Sequence, residues 1–360
     1  MFSRIPLISV CIPAYNRAFL LPDLLDSILS QDFDDFDIVL AEDSSPERQA
    51  IADVIARYNN KFPDKIRYHE NPKTLGYDGN LRRLIELASG RYVLFMGNDD
   101  LLAPGALAAV GKAVLENENV GVVLRSYASF VTDPSAPHQI YRYFDSDRFF
   151  PAGADTVTTF FRRSVFISGM VIRREAALAC ATARFDGTLL YQQHLVGQIL
   201  ARENGVYLAQ ILSHHRLGGT PDFGVSEAER GKFVPKAQTP ESSVHFMRGM
   251  LSIANSLDDS LGVRISARIT KDIGNYSYPI LAIQADRSTG VFLKYLWRIA
   301  GLGFWKAPLF YAYAVGLLVL RRPACDRLIS FLKRIKGRAP VLGNVFTGYS
   351  RDQESHKGRD

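Results

Sequence analysis

Two short acidic clusters, each placed where an apolar run stops, are the residues best suited to chemistry. Asp37-Ile38-Val39-Leu40-Ala41 runs into Glu42-Asp43-Ser44-Ser45, and Arg91-Tyr92-Val93-Leu94-Phe95-Met96-Gly97 runs into Asn98-Asp99-Asp100. Short apolar runs rich in β-branched and aromatic residues, bounded by turn residues, read as buried strands. In an open α/β sheet the ligand lies outside the carboxyl ends of the strands, so carboxylates there face a ligand. Two such clusters converging on one crevice suit a divalent cation, Mg²⁺ or Mn²⁺, and a diphosphate needs one.

The elements around them follow from periodicity. Residues 7–12 read as a first strand, and Leu20, Leu21, Leu24, Leu25, Ile28 and Leu29 recur at helical spacing over 18–30. Strand 37–41 leads to a helix with Ser45 as N-cap and Pro46 at its first position. Residues 66–69 form a short strand, 70–79 a loop, and 80–89 a helix ended by Gly90. Strand 92–96, helix 105–117 and strand 120–124 complete a βαβ series, which implies a mostly parallel sheet. Further on, 166–172 reads as a strand, 189–203 as a helix, 218–243 as a Gly/Pro/Glu-rich linker, and the chain from about 244 as helical.

Ile8-Ser9-Val10-Cys11-Ile12-Pro13-Ala14-Tyr15-Asn16-Arg17 resembles the opening strand and loop of the family 2 glycosyltransferases, whose fold is the GT-A nucleotide-sugar domain. Glu42-Asp43-Ser44-Ser45 is similar to that family's acidic pair and turn. Gly90 to Asp100, with Pro104 beyond, is similar to its strand leading to the D-x-D metal site. With Leu75-Gly76-Tyr77-Asp78-Gly79-Asn80, the pattern looks closest to bacterial transferases that build O-antigen or capsular polysaccharide. The resemblance implies a nucleotide-sugar site lined by Pro13, Ala14, Tyr15, Asn16 and Arg17 and by Glu42, Asp43 and Ser44, with Asp43 on the base. It implies Asp100 as metal ligand and Asp99 near the ribose or metal. For Gly76, Asp78 and Asn80 it supports nucleotide contact only loosely, and a structural turn is an equal reading. Pro13 to Arg17 also replaces the glycine-rich turn a dinucleotide fold needs, which argues against a dehydrogenase.

Phe185-Asp186-Gly187-Thr188-Leu189-Leu190-Tyr191-Gln192-Gln193-His194 departs from the family. In register, Gln193 stands for the usual Glu and His194 for the Asp that serves as general base. Histidine can make the same proton transfer, so His194 is the expected base, Asp186 its competitor, and a hydrogen-bonding histidine the alternative. In His214-His215-Arg216, adjacent extended residues oppose, so His214 and Arg216 are expected to share the face toward the diphosphate.

Three scattered cysteines, Cys11, Cys180 and Cys325, form no C-x-x-C pair, which suits a reducing cytoplasm, and the N-terminus offers no secretory signal. Between Arg287 and Arg338 eleven Lys and Arg face one acid, Asp326, so this stretch carries +10 and the remainder −4 of the net +6. Nucleic acid and an anionic leaflet both answer to such charge; the resemblance implies the leaflet and no nucleic acid. Ala307 to Leu320 is uncharged, yet fourteen helical residues reach roughly 21 Å, short of the roughly 30 Å hydrocarbon core. An interfacial segment is favoured over a buried or a spanning helix.

The expected architecture is therefore an α/β GT-A domain over 1–217, with a helical appendage. Its nucleotide-sugar and metal half covers 1–125 and its acceptor half 126–217. A linker at 218–243, a basic membrane-associating region at 244–340 and a disordered tail at 341–360 follow. The expected function is an inverting glycosyltransferase, peripheral on the cytoplasmic face of the inner membrane. It would pass sugar from a nucleotide-diphosphate donor to a saccharide acceptor, polyprenyl-linked, in surface polysaccharide synthesis. A sugar nucleotidyltransferase would be expected to show a Gly-rich basic loop after strand one. A catalytically inactive nucleotide-sugar- or saccharide-binding homologue is the stronger rival, because the base is altered.

Overall fold

The strand after the first four residues carries almost nothing polar, and it lies deep inside the molecule. The computed structural model describes residues 5–219 and 221–335. β1 (Ile8–Ala14) is buried along nearly its whole length, as a strand flanked on both faces must be. α1 (Leu21–Leu29) buries Leu21, Leu24, Leu25 and Ile28 as one stripe. There follow β2 (Phe36–Glu42), α2 (Arg48–Lys61), β3 (Ile66–Glu70), α3 (Gly76–Leu87), β4 (Tyr92–Phe95) and a two-residue β5 (Leu101–Leu102). Next come α4 (Ala106–Glu116), β6 (Val120–Phe130), β7 (Gln139–Tyr141), β8 (Arg148–Phe150), α5 (Ala154–Phe161), β9 (Met170–Arg173), α6 (Arg174–Ala179), α7 (Tyr191–Leu200) and β10 (Asn204–Arg216).

The sheet order is β3-β2-β1-β4-β9-β6-β10-β5. β3, β2, β1 and β4 run parallel, as do β6 and β10. β9 enters antiparallel between β4 and β6, so the βαβ series is interrupted by a later strand. The mostly parallel α/β sheet is the expected one; the antiparallel insertion is not readable from periodicity.

Two boundaries differ from expectation. α2 starts at Arg48, with no side-chain cap. Ser45 is not its N-cap, because Glu42 accepts the Ser44 and Ser45 amides at 2.9 and 2.6 Å and holds that turn itself. α3 starts at Gly76 rather than Asn80. Its first amides are met from another strand end, by Asp43, so no capping residue precedes it in sequence. The region 139–165 resolves into β7, β8 and α5.

Beyond the sheet lie α8 (Pro240–Leu261), α9 (Ser266–Asn275), α10 (Tyr278–Ala282), α11 (Thr289–Gly301), α12 (Pro308–Val319) and α13 (Arg321–Ile335). α8 opens on a capping box of Thr239 and Ser242. It lies close to α7, where a β-carbon on Gly197 would come within 2.5 Å of Leu257. One apolar cluster runs from Val93, Phe95 and Ile172 through Leu195 and Leu257 to Phe304 and Phe310. The expected C-terminal helical region is present, and it shares the sheet's core. A second cluster fills the other face between β1, β2, α1, α2 and α4. The tail expected at 341–360 lies outside the described residues.

Candidate active site

At the carboxyl end of β1 the chain turns through Asn16 and Arg17, both in the left-handed region at φ 57° and 62°, and Ser44 does the same after β2 at φ 59°. Non-glycine residues held there cost free energy, and such strain gathers at functional sites. The turns bring the two acidic clusters to one crevice. Arg17 pairs with the Asp99 carboxylate, and the Asn98 amide donates to the Asn16 carbonyl at 3.0 Å.

Asp100 is 2% exposed, and each of its carboxylate oxygens has a protein partner. Its Oδ1 lies 3.0 Å from His215 Nδ1 and accepts the Arg216 amide at 3.0 Å. Its Oδ2 accepts the Ser168 hydroxyl at 2.5 Å. Ser168 in turn accepts the Gly97 amide at 2.9 Å, and its carbonyl takes Arg125 Nε at 2.8 Å and the Ser213 hydroxyl at 2.7 Å. Arg125 is fully buried, beside the packed rings of Tyr127 and Phe166; desolvation pushes its guanidinium down to about 10. Burial lowers the His215 imidazole, but the adjacent Asp100 carboxylate outweighs this and the net shift is upward. For Asp99, burial and the Asp100 charge raise the carboxyl against the pull of Arg17.

The diphosphate-facing pair was expected to be His214 and Arg216. The structure turns His215 toward Asp100 instead, while His214 packs edge-on to Phe130 with its Nδ1 buried and unpartnered. Alternation holds across these three residues, since His214 and Arg216 both contact the Phe130 ring while His215 faces Asp100; the register runs unbroken from Ser213 to Arg216. Arg216 does reach the site, with Nε 3.1 Å from the Asp99 carbonyl and Nη2 2.8 Å from Asp23.

The first cluster divides its work. Glu42 is fully buried and spent on the Ser44 and Ser45 amides and on Arg48, which corrects its expected place among the nucleotide ligands. Asp43 accepts Asn71 Nδ2, Leu75 N and Gly76 N, each at 2.8 Å, and so caps α3. Burial nonetheless raises its carboxyl. Asn80 ties α3 to β2 through the Ala41 carbonyl and to Asn71. Asp78 accepts four amides, those of Gly187, Thr188, Leu189 and Tyr191 at 2.9–3.0 Å. Desolvation, only partly offset by these bonds, pushes Asp78 up to about 6. For Asp78 and Asn80 the structural reading is the one their contacts favour, because both side chains are used up inside the protein.

His194, the expected base, lies inside the protein. It is 6% exposed, with Nε2 2.9 Å from the Cys180 carbonyl and its ring against Phe185 and Tyr191. Burial lowers its pKa. α7 is buried on all sides, with nine of its ten residues inside the protein, and a base must be reachable by its substrate. Asp186 is partly exposed and held by both Arg82 nitrogens at 2.6 and 2.8 Å.

The segment expected as a linker covers the crevice instead. Asp222 accepts Asn16 Nδ2 at 3.3 Å, and buried Glu229 accepts the Tyr77 and Gly224 amides at 2.7 and 2.9 Å. Tyr15 faces this strap, its phenol raised by burial and by Asp222. Gly76, at φ 79°, packs so closely that a β-carbon would lie 2.3 Å from Ser226 Oγ. Asp222, Glu229 and Ser168 escaped the sequence reading because nothing local marks them. Arg125 did leave a signal, a lone cation directly after the apolar run Val120 to Leu124.

Among the described residues no group of three or more His, Cys, Asp or Glu stands ready for a metal. Asp100, with Asp99 and His215 beside it, still fits a hard cation that completes its shell with diphosphate oxygens and water, as Mg²⁺ and Mn²⁺ do.

Residues 9–180 match the family described as Glycosyl transferase family 2. An uncharacterized protein of Mycobacterium tuberculosis is 37% identical over 118 residues, 32% of this chain and 35% of its own length. The abequosyltransferase RfbV of Salmonella typhimurium is 36% identical over 102 residues, 28% of this chain and 31% of its own. The GalNAc(5)-diNAcBac-PP-undecaprenol beta-1,3-glucosyltransferase of Campylobacter jejuni is 34% identical over 106 residues, 29% and 33%. The chain thus spans about a third of the length of these curated relatives. In three dimensions it is similar to S. aureus TarS 1–349 in complex with UDP-GlcNAc, with TM-score 0.53, 15% identity and coverage of 88% of this chain and 92% of that one. At that identity the likeness is one of fold, the GT-A fold of the sequence expectation.

Proposed function

We propose, from the premise that residues 9–180 form a glycosyl transferase family 2 domain, that the protein is a glycosyltransferase using a nucleotide-diphosphate sugar. The observation that carries this reading is Asp100, buried at a strand's carboxyl end and held by His215, Arg216 and Ser168 beside the Asp99–Arg17 pair. Asp100 and His215 would hold Mg²⁺ or Mn²⁺, which when bound supplies Lewis-acid stabilisation of a departing diphosphate. Arg17 and Arg216 bring positive charge to the same place. Tyr15, Asn16 and Asp222 enclose the base and ribose.

An acceptor hydroxyl would form the new bond to the anomeric carbon as the bond to the diphosphate oxygen breaks. That single displacement inverts the centre, and the hydroxyl proton must pass to a base. With His194 buried, Asp186 inherits that role in this reading, since it is partly exposed and held in place by Arg82. The acceptor is a saccharide on a polyprenyl diphosphate at the cytoplasmic membrane face. The undecaprenol in the Campylobacter relative's name supports this reading, as does the basic segment after Arg287.

The second reading, a homologue that binds donor without turning it over, draws on the same buried His194. Donor hydrolysis or transfer by purified protein, over a panel of UDP-, GDP-, CDP- and dTDP-sugars with Mn²⁺, separates the two. Saturable binding with no turnover on any donor or acceptor favours the binder. Neither binding nor turnover sinks both readings.

A further inference from the structure

α12 is twelve residues without a charge, PLFYAYAVGLLV, and it stands at the protein surface. Phe310, Ala314 and Leu317 are buried against the other helices. Tyr311, Val315 and Val319, at 51%, 59% and 72% exposed, form the opposite stripe, as spacings of four place them on one face. At about 1.5 Å per residue the helix is about 18 Å long. Among the described residues no helix is long and apolar enough to cross a membrane. An apolar face that cannot span and is not covered needs an occupant.

Both ends of α12 are cationic. Lys306 lies over the ring of Trp305, 5.3 Å from its centroid, and Trp305 is 55% exposed. Arg321 is exposed at the other end, where φ of 62° turns the chain into α13. Leu328 and Phe331 of α13 and Trp297 of α11 are exposed as well, with Arg327 next to Leu328 and Lys294 one helical turn before Trp297. Tryptophan and long cationic side chains at the ends of an apolar stripe match the headgroup layer of an anionic bilayer. A second copy of the chain would place cation against cation.

We infer that α12 lies in the plane of an anionic membrane, its Tyr311–Val315–Val319 stripe in the acyl boundary and Lys306 and Arg321 at the phosphates. This deepens the membrane-side reading proposed above but needs no particular donor or acceptor. Each cation near such a surface multiplies partitioning by about fivefold, and salt screens the effect.

Full-length protein is co-sedimented with phosphatidylcholine vesicles, with and without a third of phosphatidylglycerol, at low and high salt. Binding is expected only with phosphatidylglycerol, and several-fold weaker at high salt. Val315→Asp, at a position 59% exposed, should keep the wild-type circular dichroism spectrum and cut the bound fraction at least tenfold. Lys306→Glu should cut it several-fold, and in both variants nucleotide-diphosphate affinity should stay unchanged. Trp305 emission should move to the blue on binding, read in a Trp297→Phe background. Equal binding of Val315→Asp and wild type overturns the inference, as does wild type that stays in the supernatant at low salt. A dimer that Val315→Asp dissociates in sedimentation velocity overturns it too, giving the face to a second copy. Failure of donor binding would instead strike the transferase reading and leave the vesicle result standing.

Discussion

The Ser168 hydroxyl donates to Asp100 Oδ2 at 2.5 Å across 68 residues of sequence. The bond joins the loop before β9 to the acidic end of β4, and the Ser168 carbonyl is itself pinned by the buried Arg125. Ser168 thus fixes which oxygen lone pairs of Asp100 stay available. Ser168→Ala removes a hydrogen bond to a charged group, worth roughly 1.5–3 kcal/mol. The expected result is a loss of about tenfold or more in Mn²⁺-dependent nucleotide-diphosphate affinity by calorimetry. Metal-independent binding should change little. A variant that binds like wild type would show that Asp100 needs no such support.

Asp78 links pH to stability through its four amide contacts to the start of α7. Its folded pKa, about 6, lies above the usual carboxylate value of 3.8. The folded state therefore holds the proton more tightly, and this group's contribution to stability is greatest below about 4 and is lost as pH rises through 6. By the same linkage the loss amounts to roughly 2–3 kcal/mol. Asp78→Asn cannot titrate. Chemical denaturation at pH 4 and pH 7 should show wild type gaining on the variant toward the lower pH. A difference independent of pH would remove the linkage.

His194→Ala is expected to behave as a core truncation. It leaves the Cys180 carbonyl without its partner and opens space beside Phe185 and Tyr191. Stability should fall by about 2–4 kcal/mol, while kcat of the folded variant stays within a few-fold. Asp186→Asn should lower kcat by about 10²–10⁴ with donor affinity kept, as loss of a positioned base does. Near-normal turnover of Asp186→Asn would take the base role away from that residue.

The strap over the crevice hangs on Glu229, whose two oxygens take the Tyr77 and Gly224 amides. Glu229→Ala leaves both donors unpaired and should free residues 221–233. Faster cleavage within them under limited proteolysis, with a rise in donor KM, is the expected pair of results. Unchanged cleavage and KM would make the strap indifferent to its tether.

How much of this was legible depends on how local each signal is. The strands ending at Glu42 and Phe95 announce themselves, because burial on both faces demands a continuous apolar run. The antiparallel entry of β9 does not, since pairing partners lie far apart in sequence and β9 is only four residues long. Asp99 and Asp100 were readable as site residues from their position after a strand. Ser168 was not, because a serine before a strand is common and its partner is 68 residues away. The burial of His194 was not readable, because register with a motif gives a residue's place in sequence, whereas the burial of α7 on all sides is set by packing against elements far along the chain.

The adjacent histidines give the sharpest contrast. His215 Nδ1 lies 3.0 Å from Asp100 Oδ1, while His214 is turned to Phe130. If Asp100 and His215 together hold the cation, His215→Ala should weaken Mn²⁺-dependent nucleotide-diphosphate binding by 10–100-fold, the usual cost of losing a ligand or its supporting partner. Asp100→Ala should abolish the metal dependence altogether. His214→Ala should leave it intact and lower only the melting temperature, because that side chain contributes packing beneath the strand. Calorimetry with and without Mn²⁺ on the three variants reads all of this in one series. Should His214→Ala lose the metal dependence while His215→Ala keeps it, the strand faces the other way and the proposed metal shell is wrong.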